Sequence, residues 1–348
     1  MNKIIGFGII GLGSVAQVHV KAIESLENAK FVAGYHKNIE KAEAFCKPRK
    51  AIGYDNLEAF LANKELDVVS IATPSGAHLD VALASIRAKK HVIIEKPMEI
   101  SKERCELLIK EAENYNVMLA GIFQSRCYES SLLVKKAIEE GRFGKLTMVD
   151  AQVKWYRSQE YYDSNPWRGT WAMDGGGALM NQSIHAIDLL QWLVGPIEEL
   201  FAYTATLAHE RIEVEDTAVA TVKFKNGALG VIEGTTAAYP GFFKKLELCG
   251  TEGSVILEEE SLKAWSFKRE TAEDGVIREK HSNCVNSSGG ATDPKAINFK
   301  GHALVFKDMV DSLLSNRSPM VDGKEAKKAV EIIEAIYKSA KEHCAVKL

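Results

Sequence analysis

The first third of the chain repeats one unit: a short apolar run, a turn, then an amphipathic segment. Apolar runs occupy positions 4–10, 31–35, 68–72, 91–94 and 117–122, and helical patterns occupy 14–26, 39–46, 77–89 and 102–115. The runs are rich in Val and Ile and too short to be helices, so they read as buried strands. Strands that alternate with helices are joined by right-handed crossovers, which lay them parallel. The expected first domain, 1–125, is therefore a doubly wound α/β unit of the Rossmann type. At 348 residues the chain exceeds what one hydrophobic core serves, so a second domain is expected over 126–348.

That second domain has a different pattern. After a helix at 129–140 come alternating runs in "LTMVDAQVKW", "DTAVATVKFKNGALGVIEGTTA" and "KKLELCGTEGSVILEEE". "KNG" between two such runs is a hairpin signal, and "CGTEGS" marks another turn between strands. Strands that follow one another without helices predict a large, open, mostly antiparallel sheet with helices, an α+β domain. The tail is an amphipathic helix, apolar at Ala329, Ile332, Ile333, Ile336 and Tyr337, able to pack back on the first domain. The polar, Gly- and Ser-rich stretch 273–294 reads as an exposed loop.

Bulk properties exclude several classes of partner. A net charge of −3 and a pI near 6.3 argue against a nucleic acid or an anionic membrane. Cys46, Cys105, Cys127, Cys249, Cys284 and Cys344 are scattered and form no CxxC pair. Neither a zinc site nor a disulfide framework is expected, which suggests a reducing compartment. No stretch approaches the ~18 apolar residues of a membrane span, so the expected location is cytoplasmic.

Four motifs carry chemistry. "GLGSVA" places Gly11, Gly13 and Ala16 in G-x-G-x-x-G/A spacing between a strand and a helix. Gly11 permits a tight turn, Gly13 lets a pyrophosphate approach the backbone, and Ala16 lets the helix pack closely. The second strand ends in "VAGYHKN", where sites for NAD usually place a carboxylate against the ribose 2′-hydroxyl. Here His36 and Lys37 stand instead, and Lys37 could meet a 2′-phosphate. "IATPSGAH" puts Thr73 and Pro74 at the carboxyl end of a further strand, beside that crevice. "HVIIEKPMEIS" ends a strand on Glu95, Lys96 and Pro97, either as a solvated corner or as a ligand-facing sheet edge. In the second half, "GGGALMNQSIHAIDLL" opens an expected helix over 178–193. On it Asn181, His185 and Asp188 share one face behind a glycine cluster, a stripe that can face a ligand.

With "GLGSVA", "ATPSGAH", "EKP" and "GGGALMNQSIHAID" in this order, the chain resembles the Gfo/Idh/MocA family, the group of glucose–fructose oxidoreductase and inositol dehydrogenase. The resemblance covers essentially the whole chain, "ELCGTEGSV" and "SPMVDGKEAKKAVEIIEAIYKSA" included. It implies a nucleotide-binding first domain and a second whose open sheet forms a homodimer or homotetramer interface. It makes Lys96 the lysine beside the nicotinamide and the reacting hydroxyl, with Pro97 fixing its direction after a bond that is often cis. His185 matches the catalytic histidine, and Asn181 stands where inositol dehydrogenases carry Asp. Trp167 and Arg168 match a segment near the cofactor in some relatives. With the motifs above, the expected cofactor contacts are Gly11, Gly13, Ala16, His36, Lys37, Thr73 and Pro74. His78, Glu95, Lys96, Trp167 and Arg168 complete that set. The expected substrate contacts are Lys96, Arg126, Tyr156, Asn181 and His185; no metal is expected.

The implied activity is hydride transfer between nicotinamide and a secondary alcohol or ketone of a sugar, cyclitol or related polyol. His185 would be the general base, since histidine titrates near neutrality, and Lys96 would stabilise the alkoxide-like oxygen. Asn181 can orient a hydroxyl but cannot titrate. The aromatic run 155–171 is a candidate wall for a carbohydrate ring. "YHKN" points to NADP at least as readily as NAD. Two other readings are a glycosidase that keeps NAD bound and works through transient oxidation, and a non-catalytic nucleotide sensor. Lys96 and His185 argue against the sensor.

Overall fold

A computed structural model describes residues 3–283 and 298–348. One compact unit comprises Met1–Phe123 and Asn298–Lys327, the other Gln124–Ile297 and Lys328–Leu348.

In the first unit the expected alternation holds. It runs β1 (Ile5–Ile10), α1 (Ser14–Glu24), β2 (Ala29–Tyr35), α2 (Ile39–Cys46), β3 (Ile52–Tyr54), α3 (Leu57–Leu61), β4 (Val68–Ile71), α4 (His78–Arg87), β5 (His91–Ile94), α5 (Lys102–Tyr115) and β6 (Leu119–Gly121). All neighbours pair parallel, in the order β3-β2-β1-β4-β5-β6. That order reverses direction between β1 and β4, which puts their carboxyl ends at the switch point where such sheets bind ligands. β1, β4 and the last three residues of β5 are fully buried, as strands covered by helices on both faces must be. β3 was not apparent in the sequence, because only three residues pair and none is buried.

The second unit contains α6 (Glu129–Glu139), β7 (Leu146–Lys154), α7 (Gln159–Asp163), α8 (Ile184–Val194), β8 (Ile197–Ala205), β9 (Thr217–Phe224), β10 (Leu229–Thr235), β11 (Lys245–Gly250), β12 (Gly253–Glu258), β13 (Ser261–Phe267) and α9 (Ala272–His281). Its sheet runs β13-β12-β11-β7-β10-β9-β8 and ends on the short β14 (Val346–Lys347). Every pair is antiparallel except β7 with β10. Along β9 Ala218, Ala220, Val222 and Phe224 are buried while Val219, Thr221 and Lys223 are exposed, so one sheet face is core and the other is open. The apolar α8 supplies the core with Ile184, Ile187, Leu190 and Leu193.

Two expectations are corrected here. Within 273–294 the chain forms α9 instead of a loop, because Thr271 and Asp274 make a capping box at its start. Asp274 also accepts from Trp265 Nε1, which anchors the helix to β13, and from Arg142, between α6 and β7. From position 284 on, that stretch lies outside the described residues. The helix expected over 178–193 begins as a π-helical turn, Ala178–Ser183, before α8 takes over. π-helical turns widen the backbone and recur at functional positions.

The last helices are α10 (Phe299–Ser315) and α11 (Gly323–Glu342). α10 packs in the first unit, with the Phe306 ring 5.5 Å from Phe7 and 5.3 Å from His19.

Candidate active site

In the first unit the glycine turn after β1 is built to leave space. Gly11 has φ +91°, and a Cβ there would lie 2.8 Å from the backbone of Ala72 and Thr73. Gly13 stands at the N-cap of α1, makes no side-chain cap, and would carry its Cβ into open space. The first turn of α1 holds no acidic residue, and Ala16 is fully buried against the sheet. Across the switch point the hydroxyl of Thr73, just past β4, is buried without a hydrogen-bond partner. A bare helix N-terminus with unfilled space before it fits the pyrophosphate of a dinucleotide. At the end of β2, His36 Nδ1 accepts the Asn38 backbone N–H at 2.9 Å, Asn38 caps α2, and Lys37 is exposed.

The end of β5 is tied down by three histidines. Glu95 Oε1 accepts from Nε2 of His19 at 2.8 Å and of His302 at 3.0 Å, while Oε2 accepts from the Lys96 backbone N–H at 3.1 Å. Burial alone would raise the Glu95 carboxyl, but the two imidazoles outweigh it and hold the group well below the usual carboxylate range. His19 is completed by Ser70 on β4 at 2.9 Å. His19, Glu95 and His302 are spaced like metal ligands, within 4.8 Å of one another. Both imidazole nitrogens nevertheless point at Oε1 itself, which is the geometry of a hydrogen-bond hub. His78 is buried, with Nδ1 3.1 Å from the Pro97 carbonyl and Nε2 2.9 Å from the Thr73 carbonyl. It links the Thr73–Pro74 turn to the Lys96–Pro97 turn, whose peptide bond is cis. Glu95 and His78, expected as cofactor contacts, thus stand behind the turns that carry Thr73 and Lys96 and hold those turns in place.

In the second unit Asn181 sits on the π-helical turn and His185 at the start of α8, both partly exposed. Asn181 Nδ2 donates to Asp174 Oδ1 at 2.5 Å, and Asp174 Oδ2 accepts the Gly169 backbone N–H at 2.9 Å. A carboxylate only accepts, so this pairing fixes which way the Asn181 amide faces. Arg168 lies 4.1 Å over the Tyr161 ring and 4.6 Å over Trp167, and bonds the Tyr161 hydroxyl. Gln182, next to Asn181, donates to the same hydroxyl at 3.2 Å. Arg168 Nε is buried without a hydrogen-bond partner. Tyr156 is partly exposed and packs edge-on against Tyr239. Tyr162, from the same aromatic run, is core, its hydroxyl 2.8 Å from Thr236.

The expected stripe of Asn181, His185 and Asp188 breaks at Asp188. That residue is fully buried in a two-point ion pair with Arg126, at 2.8 and 2.6 Å. Arg126, expected to touch substrate, is itself fully buried and serves this pair instead. The residues around these turns that sequence reasoning missed are His19, His302 and Asp174. Only Asp174, immediately before the three glycines, had a visible signal.

A parallel sheet with an open phosphate cradle and a lysine at its carboxyl edge defines a dinucleotide-binding oxidoreductase. Residues 5–123 match the description "Oxidoreductase family, NAD-binding Rossmann fold", and residues 131–256 match "GFO/IDH/MocA C-terminal domain". The chain belongs to the Gfo/Idh/MocA family of oxidoreductases. It is 31% identical to the uncharacterized oxidoreductase sll0816 of Synechocystis, over 73% of this chain and 72% of that one. It is 24% identical to the myo-inositol 2-dehydrogenase of Thermotoga maritima over 98% of both. Among solved structures, the WlbA dehydrogenase of Bordetella pertussis in complex with NADH and UDP-GlcNAcA is similar at TM-score 0.91 and 36% identity. That match covers 100% of this chain and 99% of that one.

Proposed function

We propose that the protein oxidises a secondary alcohol on the sugar of a nucleotide-linked, carboxylate-bearing hexose, or reduces the matching ketone. The observation that carries this reading is the full-length likeness to a dehydrogenase whose complex holds NADH and UDP-GlcNAcA. The residues of the chemistry are present. Nicotinamide, when bound, would supply the hydride acceptor. His185 takes the hydroxyl proton as the carbon gives up its hydride and the C–O bond becomes a carbonyl. Lys96 stabilises the oxygen while it carries negative charge, and Asn181 orients a substrate hydroxyl. Gly11, Gly13 and the start of α1 would hold the pyrophosphate, with Thr73 and Pro74 beside it. Arg168, stacked in its aromatic slot beside Trp167, supplies a planar cation to a phosphate. Tyr156 offers an aromatic face to the sugar.

NAD is the working cofactor in this reading, and NADP is admitted because His36 and Lys37 leave no carboxylate to repel a 2′-phosphate. A second copy of the chain covers the open sheet face. There Met148, Tyr203, Val219 and Leu229 are exposed, and the register sets Leu229 beside Met148 and Tyr203 beside Val219. The five described cysteines form no disulfide, which supports a cytoplasmic location. No described helix is long and apolar enough to cross a membrane.

The test is a panel of UDP-hexuronates, UDP-hexoses, free sugars and cyclitols with NAD, followed by the absorbance of reduced nicotinamide. A UDP-hexuronate should have the highest kcat/KM, by ~10-fold or more over its uncharged counterpart, the scale of one charged contact. Equal or better turnover of a free cyclitol would overturn the nucleotide-sugar assignment.

A further inference from the structure

We propose that Glu215, together with Tyr337, is a positioning residue: its carboxylate caps the π-helical turn that carries Asn181 and so sets where His185 stands. Glu215 precedes β9 and is 4% exposed. Its Oε2 accepts the Gly177 N–H at 3.0 Å, Oε1 accepts the Leu179 N–H at 2.8 Å, and its backbone carbonyl accepts the Ala178 N–H at 3.0 Å. A helix leaves its first N–H groups without internal partners. Here three consecutive ones end on a single residue far along the chain. Tyr337, from α11, donates its hydroxyl to Oε1 at 3.0 Å and braces the carboxylate from behind.

The glycine cluster has the shape this arrangement requires. A Cβ on Gly177 would lie 1.8 Å from the Glu215 carbonyl oxygen. Gly176 has φ +157°, and a Cβ there would lie 2.2 Å from the Tyr337 hydroxyl. These two glycines admit Glu215 and Tyr337, and no ligand is needed to explain them.

The cap also responds to protons. Among the described residues, Tyr337 from α11 and Tyr162 from α7 face it, with Asp174 near both tyrosines, and none of the three is cationic. Burial therefore dominates and pushes the Glu215 carboxyl up to about 7, against the hydrogen bonds it accepts. Protonation removes the charge and turns one carboxylate oxygen into a donor, so the Gly177 N–H, the Leu179 N–H and the Tyr337 hydroxyl no longer meet a charged acceptor and their bonds weaken. Positioning weakens as pH falls through that value. Stability moves the other way. A raised folded pKa means that the native state binds more protons between the ordinary glutamate value and about 7, so stability falls as pH rises through that window.

The inference rests on His185 as the base, and the experiment separates the two. The Trp171 ring stands edge-on to Tyr337 at 5.1 Å, so its fluorescence reports the cap without any substrate. Wild type should titrate near neutrality, Glu215→Gln should lose that transition, and Tyr337→Phe should move it to higher pH. With the best substrate of the panel, log kcat/KM of wild type should fall on the acid side with a slope of two. Glu215→Gln should fall with a slope of one from a plateau ~10- to 100-fold lower, the range expected of misplacement, with NADH affinity unchanged. Tyr337→Phe keeps the ring and covers the case in which Glu215→Gln fails to fold. A fluorescence transition and acid slope that survive in Glu215→Gln, or a midpoint unmoved in Tyr337→Phe, would overturn the proposal. Failure of the base assignment alone would leave the fluorescence transition and an unchanged slope in His185→Ala.

Discussion

Two glycine clusters precede two helices in this chain, and they do opposite things. Before α1, a Cβ on Gly13 would meet nothing, so the turn keeps room for a ligand at a bare helix end. Before the π-helical turn, Gly176 and Gly177 are crowded by Tyr337 and by the backbone of Glu215. One cluster leaves a helix end open to a ligand's charge, and the other fills it with the protein's own carboxylate. A glycine run before a helix therefore says only that something approaches the backbone closely. Whether that is a cofactor or a distant part of the same chain depends on which atoms stand where a Cβ would be.

The contrast is broken most severely at Gly177. Gly177→Ala must displace a backbone oxygen, so a loss at or above the ~3 kcal/mol upper end usual for overpacking is expected, read by denaturant unfolding. Native-like stability in that variant would mean that the turn is looser than drawn. Lys96→Met should leave the fold intact and lower kcat by ~10²-fold or more at nearly unchanged cofactor affinity, since its charge acts on the developing oxyanion. A near wild-type kcat would restore Lys96 to a solvated corner. His185→Ala should lower kcat by about 10²-fold and remove one proton from the acid limb, with Asn181→Ala milder and acting mainly on KM. Gly13→Ala, the counterpart of Gly177→Ala, should fold normally yet weaken NADH binding by ~10-fold, the value of about one lost charge-assisted contact in fluorescence titration. The smallest effect belongs to the ribose end. His36→Asp should shift kcat/KM toward NAD over NADP by several-fold, roughly 1 kcal/mol of repulsion at an exposed site. An unchanged ratio would show that another group selects the cofactor.

Much of the first unit was legible because its signals are local. Residues 39–46, 91–94 and 102–115 were expected with the boundaries that the structure has. "GLGSVA" and "EKP" stand at strand ends whose position follows from parallel topology alone. In the second unit the hairpins at "KNG" and "CGTEGS" were equally plain, since turn chemistry and two-residue alternation are read within a few positions. The failures share another character. Arg126 and Asp188 each looked suited to a ligand, and each satisfies the other in the core. α9 was hidden by its polar composition, although Thr271 and Asp274 announce its start.

The sequence by itself determined the two kinds of sheet, the dinucleotide cradle, and the residue types that can move a proton and steady an oxyanion. Periodicity, glycine spacing and side-chain chemistry belong to short windows of chain. Only the tertiary structure decided that residues 298–327 join the first unit, that His302 reaches Glu95 across 207 positions, and that Glu215 caps the turn holding Asn181. The reason is physical: a buried carboxylate must be met by donors, but any donor brought close enough will serve. Which one arrives is set by how distant segments pack, and that leaves no local trace.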